Sequence, residues 1–163
     1  MADGREIRKT EAHLAAIRRV AFSRNGRQAL SGGFDSSMRL WDLQTGRLLR
    51  QSFTLPNFVE GVSFSPSGAF AVSSEGQGIE DGRPEADSNP GVRLWDLRTG
   101  RLLARCGAIA AKCLQVEFSR DGRHVVTGGS DGVVCLLQMP SFTAADSAGQ
   151  LAASRVAPRS TRR

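Results

Sequence analysis

Arg39-Leu40-Trp41-Asp42-Leu43 is the stretch on which the reading of this 163-residue chain turns, because it returns as Arg93-Leu94-Trp95-Asp96-Leu97. One intervening residue, Gln44 or Arg98, then leads into the same Thr-Gly-Arg-Leu-Leu run, from Thr45 in the first copy and from Thr99 in the second. Working outward, Phe22-Ser23, Phe64-Ser65 and Phe118-Ser119 each stand three residues before a glycine, Gly26, Gly68 and Gly122. Phe22 and Phe64 are 42 residues apart and Phe64 and Phe118 are 54 apart, so the second unit carries 12 extra residues. Self-similarity on this scale means one supersecondary unit used several times, each copy burying its apolar face against the next.

The local pattern is that of strands. Val20 and Phe22 share one face of an extended segment, as do Met38 and Leu40, while Arg39 and Trp41 share the other. Asn25-Gly26, Ser67-Gly68 and Asp121-Gly122 supply residues that tolerate positive φ in tight hairpins. No segment sustains a period of 3.6, so the chain reads as all-β.

These repeats resemble the WD-repeat β-propeller family, over roughly residues 4 to 140. A unit of about 40–45 residues with four short strands and a terminal Trp-Asp pair is one propeller blade. The resemblance implies strands a to d from the central channel outward: a near Ile17 to Ser23, b near Gln28 to Ser31, c near Ser37 to Asp42 and d near Leu48 to Ser52. Repeat one then covers residues 13–54, repeat two 55–107 and repeat three 108–140, the last with Leu137 and Gln138 in place of Trp-Asp. Residues 4–12 can be laid over the first strand d with an offset of 42, and are expected to be an outer strand with no a, b or c before it. Three blades' worth of strands falls short of the four to eight of a closed ring. The expected architecture is therefore an incomplete propeller, or one completed by another copy or by additional blades. A truncated fragment with no independent function is the bland alternative. With three blades, closure within one chain is not expected, whereas two chains exchanging residues 4–12 would make six.

The family pattern also implies a hydrogen-bonded tetrad: Trp41 to Ser31 to His13 to Asp35. The same residue types could suggest a hydrolase, but Ser31 stands in no Gly-x-Ser-x-Gly elbow, and the structural role is the expected one. Repeat two keeps Ser73 and Trp95, with Leu55 and Asn89 at the histidine and aspartate positions. Repeat three keeps Thr127 and Asp131, with Ile109 and Leu137 at the other two. The loss of Trp41 is accordingly expected to cost more than the loss of Trp95. Arg39 and Arg93 occupy matched strand positions and read as ordinary outward-facing arginines.

The extra residues of repeat two, 75–90, hold Glu75, Glu80, Asp81, Glu85 and Asp87 against Arg83 alone. Glycines and prolines punctuate this insertion, so no regular structure is expected there. It falls between strands b and c, which in the family lie on the face that docks partners. Glu80, Asp81, Glu85 and Asp87 are the candidate partner-binding residues, for a basic peptide or protein. Their spacing fits no ordered calcium loop.

Function follows as a non-catalytic protein-interaction scaffold, with protein partners. There is no phosphate loop, no Gly-x-Gly-x-x-Gly and no metal-binding histidine pair, and the chain has only two histidines and no tyrosine; no cofactor or metal is expected. The formal net charge is +6. Residues 141–163 hold four arginines against Asp146 and are rich in Ala and Ser, which reads as a disordered basic tail. Nucleic-acid or acidic-surface association through that tail is the runner-up, not favoured because no aromatic residues are interleaved to stack bases. No apolar run is long enough to span a membrane. The N-terminus lacks signal-peptide order. Three cysteines without Cys-x-x-Cys fit a reducing, cytoplasmic setting. Cys135 reads as a small buried residue of a strand c.

Overall fold

The computed structural model describes residues 4–51, 57–76, 79–80, 83–84, 91–106 and 112–140. All regular structure in them is β. No helix is long and apolar enough to cross a membrane among the described residues.

The first blade is an antiparallel meander of β1 (Ile17–Phe22), β2 (Gln28–Gly33), β3 (Met38–Asp42) and β4 (Leu48–Gln51), in that spatial order. The second holds β5 (Val59–Phe64), β6 (Phe70–Glu75), β9 (Val92–Asp96) and β10 (Leu102–Cys106), ordered β10-β9-β6-β5. The third has three described strands, β11 (Cys113–Phe118), β12 (His124–Gly129) and β13 (Val134–Gln138). The first hairpin of each blade is closed by a glycine at positive φ, Gly26, Gly68 and Gly122 at 67°, 73° and 71°. The aspartate of each Trp-Asp pair closes the outer turn. Asp42 Oδ1 accepts the Thr45 N–H at 2.7 Å and Asp96 Oδ1 the Thr99 N–H at 3.0 Å.

Two apolar cores lie between blades rather than within them. The first joins Leu30, Met38 and Leu40 of blade one to Val59, Val62, Phe64, Ala71, Trp95 and Leu97 of blade two. The second joins Val72, Val92 and Leu94 of blade two to Cys113, Val116 and Val125 of blade three. Each blade therefore offers the same strand positions to the blade that follows it. The middle blade is covered on both faces, and every residue of β9 is buried.

Four sequence expectations change. Residues 4–12 form no strand in this chain, because an outer strand exists only against a strand c, and β3 already pairs with β4. The insertion has some regular structure after all. Ile79–Glu80 (β7) pairs antiparallel with Arg83–Pro84 (β8). Glu75 is not part of the insertion but the buried last residue of β6. Cys135, in β13, is only partly buried, while Cys113 is fully buried; all three cysteines are free thiols.

Candidate functional site

The residue types with chemical potential converge on the first blade. His13 comes from the loop before β1, Ser31 from β2, Asp35 from the β2–β3 turn and Trp41 from β3. The indole N–H of Trp41 donates to Ser31 Oγ at 2.9 Å. His13 Nε2 lies 2.7 Å from the same oxygen, and His13 Nδ1 lies 2.8 Å from Asp35 Oδ1. Asp35 also accepts the Leu14 N–H at 3.1 Å and the Ser37 hydroxyl at 2.8 Å. Burial opposes the ionisation of its carboxyl, but the hydrogen bonds from His13, Ser37 and Leu14 outweigh it and hold Asp35 below the usual carboxylate range. Arg39 completes the cluster with an ion pair to Asp35 at 3.1 Å and a bond to the Ala12 carbonyl. It is no free-standing outward arginine.

The arrangement ties the loop before β1 to β2 and β3. Chemically it is closed. Ser31 is buried, with its oxygen engaged by both the indole and the imidazole. A nucleophile needs an accessible oxygen and a nearby oxyanion site, and Ser31 offers no such access.

In blade two, Trp95 N–H donates to Ser73 Oγ at 2.9 Å, both residues being buried. Leu55 and Asn89 lie outside the described residues. A second network, which sequence reasoning missed, stands beside them. Glu75 and Arg93 form an ion pair in the interior, and Asn57 Nδ2 donates to Glu75 Oε2 at 3.2 Å. Burial pushes the Glu75 carboxyl up against the pull of Arg93 and Asn57. Arg93 matches Arg39, but its acid comes from the end of β6, the position Gly33 holds in β2. Gly33 cannot carry such a side chain, since a β-carbon there would stand 2.7 Å from the Ala16 carbonyl oxygen.

Blade three retains less. Thr127 occupies the serine position, but Leu137 replaces the indole donor, and the buried Thr127 hydroxyl has no nitrogen or oxygen partner. The Cys113 thiol is the polar neighbour of Thr127 and Ser74, and burial raises it, leaving it a poor nucleophile. Asp131 turns inward on its own loop, accepting the Val133 N–H at 3.1 Å. Of the acidic insertion residues, Glu80 lies in β7, and Asp81, Glu85 and Asp87 lie outside the described residues. The basic tail, 141–163, and Ile109 lie outside them as well. No group of three or more metal-ligating side chains occurs among the described residues.

The junction of blades one and two carries one further polar and aromatic group. Arg18 pairs with Glu60 at 2.9 Å and lies 5.0 Å from the centroid of the Phe34 ring, which packs on Phe58. Pairing and stacking hold these loops together across the junction.

The sequence matches the family described as WD domain, G-beta repeat, over residues 4–42 and 103–137. The second match opens inside β10 and ends in β13, and the first opens at residue 4 and ends in β3. The chain is 25% identical over 134 residues to autophagy-related protein 16 of Arabidopsis thaliana, covering 82% of this chain and 24% of that one. It is 31% identical over 134 residues to the small ribosomal subunit protein RACK1 of Glycine max, covering 78% and 41% respectively. It is 23% identical over 139 residues to THO complex subunit 3 of Arabidopsis thaliana, covering 83% and 40%. The chain thus spans about a quarter to two fifths of the length of these curated relatives.

Proposed function

The chain belongs to the WD-repeat family, and from that premise we propose that it is a non-catalytic protein-interaction scaffold, whose acidic β6–β9 insertion docks a basic segment of its partner. The observation that carries the scaffold reading is the closed tetrad: the grouping of Ser31, His13 and Asp35 in the first blade is a buried tie between strands. Two of the relatives are named as subunits of larger assemblies, which supports the same reading. The insertion adds the specificity, since Glu80, Asp81, Glu85 and Asp87 gather like charge on one loop. Like charge on a loop steers and selects a partner of opposite sign.

The test replaces Glu80, Asp81, Glu85 and Asp87 together with Ser and compares proteins captured by the two chains at rising salt. The expected result is a lower yield of basic partners, a flatter salt dependence and an unchanged unfolding midpoint. A capture profile identical to that of the native chain overturns the docking role of the insertion. Hydrolysis of an ester or peptide that Ser31→Ala abolishes overturns the scaffold reading itself.

A further inference from the structure

Both ends of the three-blade stack expose apolar positions that the two internal junctions bury. Phe22 of β1 is 73% exposed, whereas its counterpart in β5, Phe64, is 8% exposed inside the first junction. Leu136 of β13 is 71% exposed, whereas Leu40 of β3 and Leu94 of β9, at the same register, are 5% and 1% exposed. The same holds for their neighbours: Ile17 and Val20 on blade one, Val126 and Val134 on blade three. Blade three thus presents the face that blades one and two each turn toward their successor. Blade one presents the face that blades two and three each turn toward their predecessor. Each is the complement of the other, by the rule that the chain uses twice internally.

The N-terminal segment points the same way. Arg50 of β4, in the outer strand of blade one, reaches forward to the outer turn of blade two and donates from Nη2 to the Arg98 carbonyl at 2.9 Å. Arg8 does the same one blade earlier. Its Nη2 donates to the Gln44 carbonyl at 3.3 Å and its Nη1 to the Thr45 carbonyl at 2.9 Å. Gln44 and Arg98 are matched residues of the two outer turns, and Arg8 and Arg50 are 42 residues apart. Residues 4–12 therefore stand on blade one as β4 stands on blade two. They occupy the place of the outer strand of a blade that would precede blade one. Blade three has the converse defect: β13 has no further strand beside it among the described residues.

We propose that two copies of this chain close on each other head to tail, blade three of each packing on blade one of its partner, with residues 4–12 pairing along the outer edge of the partner's β13. The count favours two copies. One chain gives three blades and three chains give nine, while two give six, inside the range of about four to eight that propellers occupy. Closure of this kind leaves neither apolar face nor strand edge exposed. It is a heterologous contact made twice.

Two single variants, Phe22→Lys and Leu136→Glu, separate this arrangement from the alternatives, with light scattering on the purified 163-residue chain at micromolar concentration. Both side chains are exposed in the single chain, so the β circular-dichroism signal of each variant should persist. The native chain is expected at twice the monomer mass, and each variant alone as a monomer. An equimolar mixture of the two variants is expected to regain the dimer, because one of its two junctions is then fully native. A native monomer overturns the proposal, as does a series of ever larger species, which would mean an open filament. A dimer that survives Leu136→Glu alone overturns the head-to-tail arrangement, since two blade-one faces would then be meeting each other. A mixture that stays monomeric while both variants are folded overturns it equally.

Discussion

Glu75 and Arg93 neutralise each other inside the second blade, one from the end of β6 and the other from β9, with neither side chain more than a few per cent exposed. The pair replaces what His13 and Asp35 do in the first blade, where Arg39 leans on Asp35 instead. One strand-c arginine is thus served by two different acids in two copies of the same unit. Buried pairs are costly to break, because removing one partner strands the other charge away from water. Arg93→Met is expected to destabilise by about 3–5 kcal/mol, and Glu75→Gln combined with Arg93→Met by clearly less than the sum of the single changes. A urea double-mutant cycle measures this; additive losses would mean that the two side chains act independently.

For the two tryptophans the hydrogen bonds lead to a different expectation from the one drawn on the repeat pattern. Ser31 keeps His13 when Trp41 is lost, whereas Ser73 is fully buried and bonded to Trp95. Trp41→Phe is expected to cost about 1–3 kcal/mol and Trp95→Phe at least as much, because an orphaned buried hydroxyl carries its full desolvation penalty. Comparing the urea midpoints of the two variants checks the order, and a Trp95→Phe chain as stable as the native one would reverse it.

Thr127 provides a change of the opposite sign. Its hydroxyl is buried without a nitrogen or oxygen partner because Leu137 stands where the indole would be. Thr127→Val keeps the shape and removes the orphan. It is expected to leave stability unchanged or to raise it by up to about 1 kcal/mol. Thermal unfolding reads this directly, and a loss of more than 1 kcal/mol would mean that the hydroxyl has a partner worth keeping, with Cys113 as the nearest.

Acid sensitivity separates the two carboxylates. Asp35 is held below the usual carboxylate range, so its stabilising share is complete above its unfolded pKa of about 3.9 and is lost as pH falls through the folded value. Asp35→Asn should therefore flatten the acid limb of stability against pH. Glu75 is raised by burial, so its share is complete below its unfolded pKa of about 4.3 and is lost as pH rises through the folded value. The pH dependence that Glu75→Gln removes lies above that unfolded value, on the neutral side. Denaturation curves taken across pH 2 to 7 on both variants test the signs, and identical pH profiles would contradict them.

Much of the fold was legible because its signals are local. The Phe-Ser-x-x-Gly turns and the Trp-Asp pairs place β1 to β3, β5, β6, β9, β11 and β12 without reference to distant residues. The tetrad members also lie at fixed distances from those markers. What stayed hidden depends on neighbours that a repeat alignment does not supply. Strand alternation shows which side of β9 Arg93 takes, but not that blades one and three cover both sides. Glu75 reads as the start of an acidic loop because Glu80, Asp81 and Glu85 follow it, and only pairing with β5 and β9 shows that β6 runs through it. Residues 4–12 carry the pattern of an outer strand, yet pairing takes two strands, and no second one lies beside them among the described residues.

Ser31, His13 and Asp35 of the first blade serve to hold strands together. The urea unfolding free energy of Ser31→Ala tests this role most directly. The structure predicts a loss of about 1–3 kcal/mol, since the Trp41 N–H and His13 lose their shared buried partner. A Ser31→Ala chain that unfolds at the same urea concentration as the native protein would contradict it.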